Sequence, residues 1–347
     1  MHKLEVRPGV WMAYEDHWFG EPWLTPEPVV MIHGNAESSK AWNRWVPHLA
    51  GQYRVIRPDM PGFGASPEPQ GYGWTVGELA ADIGNFLNAL GIEKCHLIGA
   101  KYGGSACMKF ATQQPRRLLS LGLFGSPVRG SGTGNADLIR TKGVRQWAHE
   151  TMRARLGSKA TEAQLKWWAD ELMGKTSSKA AYSASAARID MELEEQLSRI
   201  TCPTLIVTTH ESGLQSVEAV RKYAKKIPNA RVVVMPGDSY HADGVAPGRR
   251  HQGGVVKLRS VSRRSLMGGV VSVGGMLALP RIARAQAFPT RPVRIIVPFA
   301  PGGGADIVSR LMPPYLQNAL GQSVIVENRA GAGGGIGTGV VAKSDPD

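Results

Sequence analysis

Residues 99–104 read GAKYGG, a lysine set among small residues directly behind the apolar run HLI at 96–98. Small neighbours are what a strained strand-to-helix turn needs if it is to expose one side chain above a sheet, and Gly99, Gly103 and Gly104 meet that need around Lys101. An amine in such a place has two chemistries. Neutral, with its pKa lowered from about 10.4 by burial, it forms a Schiff base with a ketone or aldehyde. Charged, it polarises a carbonyl or stabilises an enolate. A glycine-rich turn behind a strand can also hold phosphate, but residues 99–104 have neither the dinucleotide fingerprint nor the P-loop spacing.

These residues need a scaffold to hold them. Apolar strand patterns occur at 28–33, 53–59, 95–99, 119–124, 204–207 and 231–235, with helical spacing at 76–90 between two of them. Such alternation predicts an α/β fold, a mostly parallel sheet flanked by helices. From 135 to 198 the pattern is helical only, with Trp147, Trp167, Trp168 and Leu172 at apolar spacings, which predicts a helical cap over the sheet. Its tryptophans read as cap core before ligand contacts. The pocket beneath is expected to be partly apolar and of small-molecule size.

With these pieces in order, residues 5–247 resemble the α/β-hydrolase superfamily. The resemblance rests on HGNAESSKAW at 33–42, RPDMPGFGAS at 57–66, GAKYGG at 99–104, the helical cap, and GDSYHA at 237–242. It implies a core in two parts, 1–127 and 201–247, around a cap at 128–200. It also implies that Lys101 occupies the seat of the usual serine nucleophile, that the amides of Asn35 and Tyr102 form the oxyanion hole, and that His241 is the base. The family's acid seat behind the strand LIVTT falls on Ser212, with Glu211 one residue earlier. The other acid position, behind the strand at 119–124, holds Ser126. Of the three triad seats, only the histidine keeps the family's residue.

Charge separates the chain into regions. Residues 248–294 hold ten Lys or Arg and no acid, whereas residues 1–247 hold 28 basic against 24 acidic side chains. The +13 net charge is therefore concentrated in one stretch, without aromatic interleaving or a nucleic-acid motif, and argues against nucleic-acid binding. Within 248–287, a basic linker, SRRSLM at 262–267 precedes a weakly hydrophobic glycine-rich run and small residues near Ala285 and Ala287. This is the pattern of a twin-arginine export signal, too short to insert stably in a membrane. Lying inside the chain, it is not expected to be read, so a cytoplasmic location is expected. Residues 288–347, with VRIIVPF, the loop APGGGAD at 300–306 and VIVENR, resemble the opening of a substrate-binding protein of the tripartite tricarboxylate transporter type. There the resemblance implies a carboxylate loop at Pro301, Gly302, Gly303 and Asp306, in an incomplete lobe not expected to bind on its own. The two resemblances together read as a gene fusion or a frame change.

Cys95, Cys107 and Cys202 have no metal-ligand spacing and read as reduced core thiols, and no metal or cofactor is expected. The expected partner is a small-molecule substrate. Three uses of Lys101 stay open: an electrostatic role in hydrolysis with His241, a Schiff base, or none in a binding protein. The segment behind His241 does not resemble the family's covering helix, so a bare sheet face and a dimer through it are expected.

Overall fold

Chain order and apolar alternation together dictate one twisted sheet, and the computed structural model shows it. The structure describes residues 1–130, 134–189, 191–241, 289 and 291–344. Two compact units divide the chain, Met1–Leu258 and Arg259–Asp347.

In the first unit, β1 (His2–Arg7), β2 (Val10–His17), β3 (Pro28–Ile32), β4 (Arg54–Pro58), β5 (Cys95–Ala100), β6 (Leu118–Phe124), β7 (Thr204–Thr209) and β8 (Ala230–Met235) form one sheet. Its order is β1-β2-β4-β3-β5-β6-β7-β8. β2 pairs antiparallel with β1 and β4, and every other neighbour is parallel. Parallel neighbours need crossovers, supplied by α1 (Val46–Leu49), α2 (Val76–Ala89), α3 (Lys101–Gln113) and α7 (Val217–Ala224). The six strand patterns of the sequence are β3 to β8, and the helical pattern at 76–90 is α2. That helix starts at Thr75 because its Oγ1 accepts from Glu78 N–H at 3.2 Å while the Glu78 carboxylate accepts from Thr75 N–H at 3.3 Å.

Period-two alternation sorts the strand residues between two cores. Val30, Ile32 and Leu97 join Phe86 and Phe110 on one face, whereas Val29, Met31 and Ile98 join Trp42 and Phe124 on the other. Consequently β5 is buried along its whole length and its end is held firmly. β8, at the edge, has no fully buried residue, and its Arg231 is exposed. The covering helix missed in the sequence behind His241, and the twin-arginine pattern, lie outside the described residues.

The cap enters between β6 and β7 as α4 (Gly134–Leu156), α5 (Glu162–Trp167), a π-helical turn at Trp168–Met173, and α6 (Ser178–Ala187). Gly143, at φ 79°, breaks α4 into two helices. Ile139, Trp147, Met152, Trp168 and Leu172 form the cap's own apolar cluster.

In the second unit β9 (Val293–Val297) pairs in parallel with β10 (Val324–Asn328), joined by α8 (Gly304–Leu311) and α9 (Pro313–Leu320) and followed by α10 (Gly335–Ala342). Among the described residues no helix is long and apolar enough to cross a membrane.

Candidate active site

β5 ends at Ala100 and α3 begins on the next residue, so the whole change of direction falls on Lys101. Its φ of 51° lies in the left-handed region, which costs a non-glycine residue on the order of 1–3 kcal/mol unless packing enforces it. Packing does enforce it. A Cβ on Gly103 would stand 2.0 Å from the His33 carbonyl oxygen, and one on Gly104 would stand 1.8 Å from Ser126 Oγ. Gly99 is as crowded, its Cβ position lying 2.6 Å from Gly104 Cα. Ser126 is thus a packing neighbour of the turn, its hydroxyl directed at the Gly99 and Phe124 carbonyls.

The turn behind β3 is strained as well, with Ala36 at φ 59°. His33 secures it: Nδ1–H donates to the Gly34 carbonyl at 2.8 Å, and Nε2 accepts from Met60 N–H at 2.9 Å. That pattern requires a neutral ring, and full burial holds the His33 pKa below its ordinary value. The strained turn delivers Glu37 to the elbow. Glu37 Oε2 accepts from Gly34 N–H at 3.0 Å, and Oε1 lies 2.9 Å from Lys101 Nζ. His241 closes the group, its Nδ1 standing 3.1 Å from Lys101 Nζ and 3.4 Å from Glu37 Oε1. All three side chains are buried.

The cap places the histidine. The Arg155 carbonyl, near the end of α4, accepts from Tyr240 N–H at 3.2 Å, His241 N–H at 3.4 Å and Ser239 Oγ at 3.1 Å. Trp168 meets the imidazole edge to face at 4.8 Å between ring centres, and the Lys101 ammonium lies 5.8 Å from the Trp168 ring centre. Trp168 is therefore both cap core and wall of the site, whereas Trp167 packs edge to face on Trp168 from a more exposed position. Burial first, then the charges of Lys101 and Arg155, push the His241 pKa well below its ordinary value. The ring is neutral at neutral pH. Because the ammonium donates to Nδ1, the imidazole proton sits on Nε2, which has no partner among the described residues.

A cavity of about 40 Å³ opens on this group, with Glu37, Lys101, Tyr102, Trp147, Arg155 and Arg188 in its wall. That is room for a few waters or for a small molecule of comparable bulk. Asn35 and Tyr102 are brought together there and fixed by their side chains. Asn35 Nδ2 donates to Ser185 Oγ at 2.7 Å, and Tyr102 Oη donates to the Trp74 carbonyl at 2.8 Å. The Tyr102 amide lies in the first turn of α3, where N–H groups have no intrahelical acceptor and the helix end favours negative charge.

A strained residue at the strand-to-helix turn, glycines in contact behind it, a histidine from beyond β8 and a cap between β6 and β7 are one arrangement. The alpha/beta hydrolase fold family matches residues 27–158, and the first unit superposes on the enol-lactonase from Burkholderia xenovorans with TM-score 0.63 at 21% identity, over 67% of this chain and 91% of that one. The first unit has the α/β-hydrolase fold. In sequence the chain is 36% identical over 102 residues to 2-hydroxy-6-oxo-2,4-heptadienoate hydrolase of Pseudomonas putida, covering 28% of this chain and 37% of that protein. It is also 54% identical over 63 residues to Protein BugT of Bordetella pertussis, covering 18% of this chain and 19% of that one. The chain thus spans well under half the length of either of these curated relatives.

The first unit corrects the expected acid. Glu211 is exposed, its amide bonded to the Gly237 carbonyl, and Ser212 Oγ accepts from Leu214 N–H at 3.4 Å. Neither meets His241; among the described residues the carboxylate that does is Glu37, from the turn behind β3. Glu37 sits three residues behind Gly34 in the loop GNAESSK, and spacing alone does not single it out. Burial raises the pKa of all three cysteines, Cys95 to about 12, which keeps them protonated core thiols. No group of three or more metal-ligating side chains occurs among the described residues.

In the second unit the loop at 300–306 folds onto its own carboxylate. Asp306 Oδ2 accepts from Gly302 N–H at 2.8 Å, Arg310 Nε lies 3.0 Å from Oδ1, and Asn328 Nδ2 donates to Oδ1 at 2.9 Å. The hydrogen bond from Arg310, with those from Gly302 and Asn328, holds the carboxyl at about 2. Gly302, at φ 82°, makes the turn; Pro301 and Gly303 flank it at the surface.

Proposed function

We propose that the hydrolase unit cleaves a small carbonyl compound with water, an enol-lactone, ester or β-dicarbonyl, and that Lys101 acts through its charge. The observation that carries this reading is the 2.9 Å contact between Lys101 Nζ and Glu37 Oε1. A buried carboxylate beside the amine favours the ammonium form, which polarises a carbonyl but does not attack it. Attack by a neutral lysine on an ester would in any case end in a stable amide. The substrate oxygen is received by the Asn35 and Tyr102 amides, and Lys101 turns one N–H toward it. His241 Nδ1, released from that hydrogen bond, takes a proton from the attacking water. On collapse of the tetrahedral adduct the same proton passes to the leaving oxygen or carbon, and the ring returns to neutral. The enol-lactonase and the heptadienoate hydrolase are similar proteins whose names describe cleavage of this kind.

The test is turnover of a panel of aryl esters, enol-lactones and β-diketones by the protein and by Lys101→Ala and His241→Ala. Activity lost in both variants is expected; activity that survives both would overturn the reading. Borohydride trapping separates the Schiff-base route, which needs a free amine and is opposed by the pair with Glu37. One observation favours a second reading, a binding protein without turnover: at rest the His241 proton is on Nε2 and its Nδ1 is engaged by Lys101. A silent parent whose Lys101→Ser variant gains esterase activity would establish it. The reading takes the protein to be cytoplasmic and to pair two copies through an uncovered sheet face, which the partial exposure of β8 supports; a monomer by light scattering would remove the second point.

A further inference from the structure

Two guanidinium groups in the cavity wall have no role in the scheme above. Arg155 is 7% exposed, and its guanidinium lies 4.1 Å from the centre of the Trp147 ring and 5.8 Å from that of Tyr240. Its Nε donates to Thr151 Oγ1 at 2.8 Å, which fixes the plane of the group and leaves the two terminal nitrogens for the cavity. Arg188, at the end of α6, lines the same cavity, and its buried Nε has no hydrogen-bond partner among the described residues. Neither arginine is paired with a carboxylate among the described residues, although the wall's one acid, Glu37, already faces Lys101. Burial lowers the pKa of both; Tyr240 and Glu37 oppose this at Arg155, whereas at Arg188 Tyr102 opposes it and the Arg155 charge adds to it. A buried guanidinium left without an anion is costly, and two beside one cavity define a place for negative charge.

We propose that Arg155 and Arg188 form an anion subsite that takes a carboxylate of the substrate, so that the compound cleaved at Lys101 is a small carboxylic acid carrying its reacting carbonyl a few bonds away. The proposal rests on the reading of this cavity as the substrate site, and it adds the substrate class. Planar, forked donors suit a carboxylate, and the modest cavity suits a short aliphatic acid better than a long ester. A phosphate would use the same donors, so the probes must tell the two apart.

The experiment is calorimetric titration of the full chain with malonate, malonamide and inorganic phosphate. Malonate is expected to bind and malonamide, which has the same skeleton without charge, is not. Arg155→Gln and Arg188→Gln should each weaken malonate at least tenfold, whereas Arg145→Gln, an exposed arginine of the same cap helix, should leave it unchanged. Should Arg155→Gln fail to fold, the half-buried Arg188 and the salt dependence of malonate binding still decide. Phosphate binding without malonate binding would overturn the carboxylate assignment, and equal binding of malonate and malonamide, or no effect of either substitution, would overturn the subsite. Failure of the hydrolytic reading looks different: malonate would bind through both arginines while no compound in the panel is turned over.

Discussion

Each unit of the chain places a carboxylate beside a cation near a helix that follows a strand, and the two pairs are satisfied in different ways. Asp306 and Arg310 are four residues apart, and the carboxylate also takes the Gly302 amide and Asn328, while Arg310 remains half exposed. Glu37 and Lys101 are joined across the fold, both buried, with a neutral histidine between them and an open cavity beside them. The first is a local closure, complete in itself. The second is held by strained turns at Ala36 and Lys101, which a purely structural pair would not require. The difference teaches that an ion pair points to chemistry when the fold incurs strain to assemble it and leaves its neighbours unsatisfied.

The largest effect should come from halving the buried pair. Glu37→Gln leaves an ammonium without its carboxylate and should lower stability by about 3–5 kcal/mol in urea unfolding. Adding Lys101→Met should restore most of the loss. If Glu37→Gln unfolds like the parent, Glu37 and Lys101 do not stabilise each other as a buried ion pair.

Next in size is the elbow. Gly103→Ala drives a Cβ to 2.0 Å from backbone and should cost about 1–3 kcal/mol or more, read as a lower Tm together with lost turnover. An unchanged Tm would mean that the turn is looser than its contacts imply.

The two pairs should also separate in pH. Unfolded imidazole takes a proton near 6.5, whereas folded His241 takes one only well below that. The unfolded chain therefore binds more protons as pH falls below about 6.5, and the stability of the first unit should decline from there downward. By the same neutrality, kcat/KM should be flat from about pH 6.5 to 8 rather than showing a histidine limb near 6.5. Asp306 acts in the same direction at lower pH: its carboxyl is held at about 2 against 3.8, so its contribution is present above about pH 4 and lost as pH falls through about 2. Thermal scans at stepped pH would show both windows; a histidine limb near 6.5 in kcat/KM would contradict the buried neutral ring.

Smallest of all should be Asp306→Asn, with no change in turnover and none in unfolding of the first unit. A loss of turnover there would tie the second unit to the reaction.

Much of this was legible before any coordinates. The strand patterns at 28–33 and 95–99 are β3 and β5, and the crowded glycines at 99, 103 and 104 announce the elbow, because only small residues allow that approach. Lys101 and His241 were legible as a pair through the resemblance of GAKYGG and GDSYHA to the α/β-hydrolase pattern. Glu37 was not assigned, since the acid was sought behind β7, where Glu211 turns out to face solvent. Sequence spacing gives no sign that a loop residue next to one strand will reach a histidine two hundred positions away. Arg155 and Arg188 were hidden for a related reason: on a polar cap helix an arginine reads as surface, and only the packing of Trp147 and the cap against the sheet buries it.

The most direct test of a charge-assisted lysine uses the double variant Lys101→Met with Glu37→Gln, which removes both charges and so avoids the folding penalty of removing one. Its kcat/KM on the best enol-lactone or ester of the panel is expected to fall at least a hundredfold, on the scale of losing one preorganised donor, with cooperative unfolding retained. A folded double variant that turns over as fast as the parent would contradict the account.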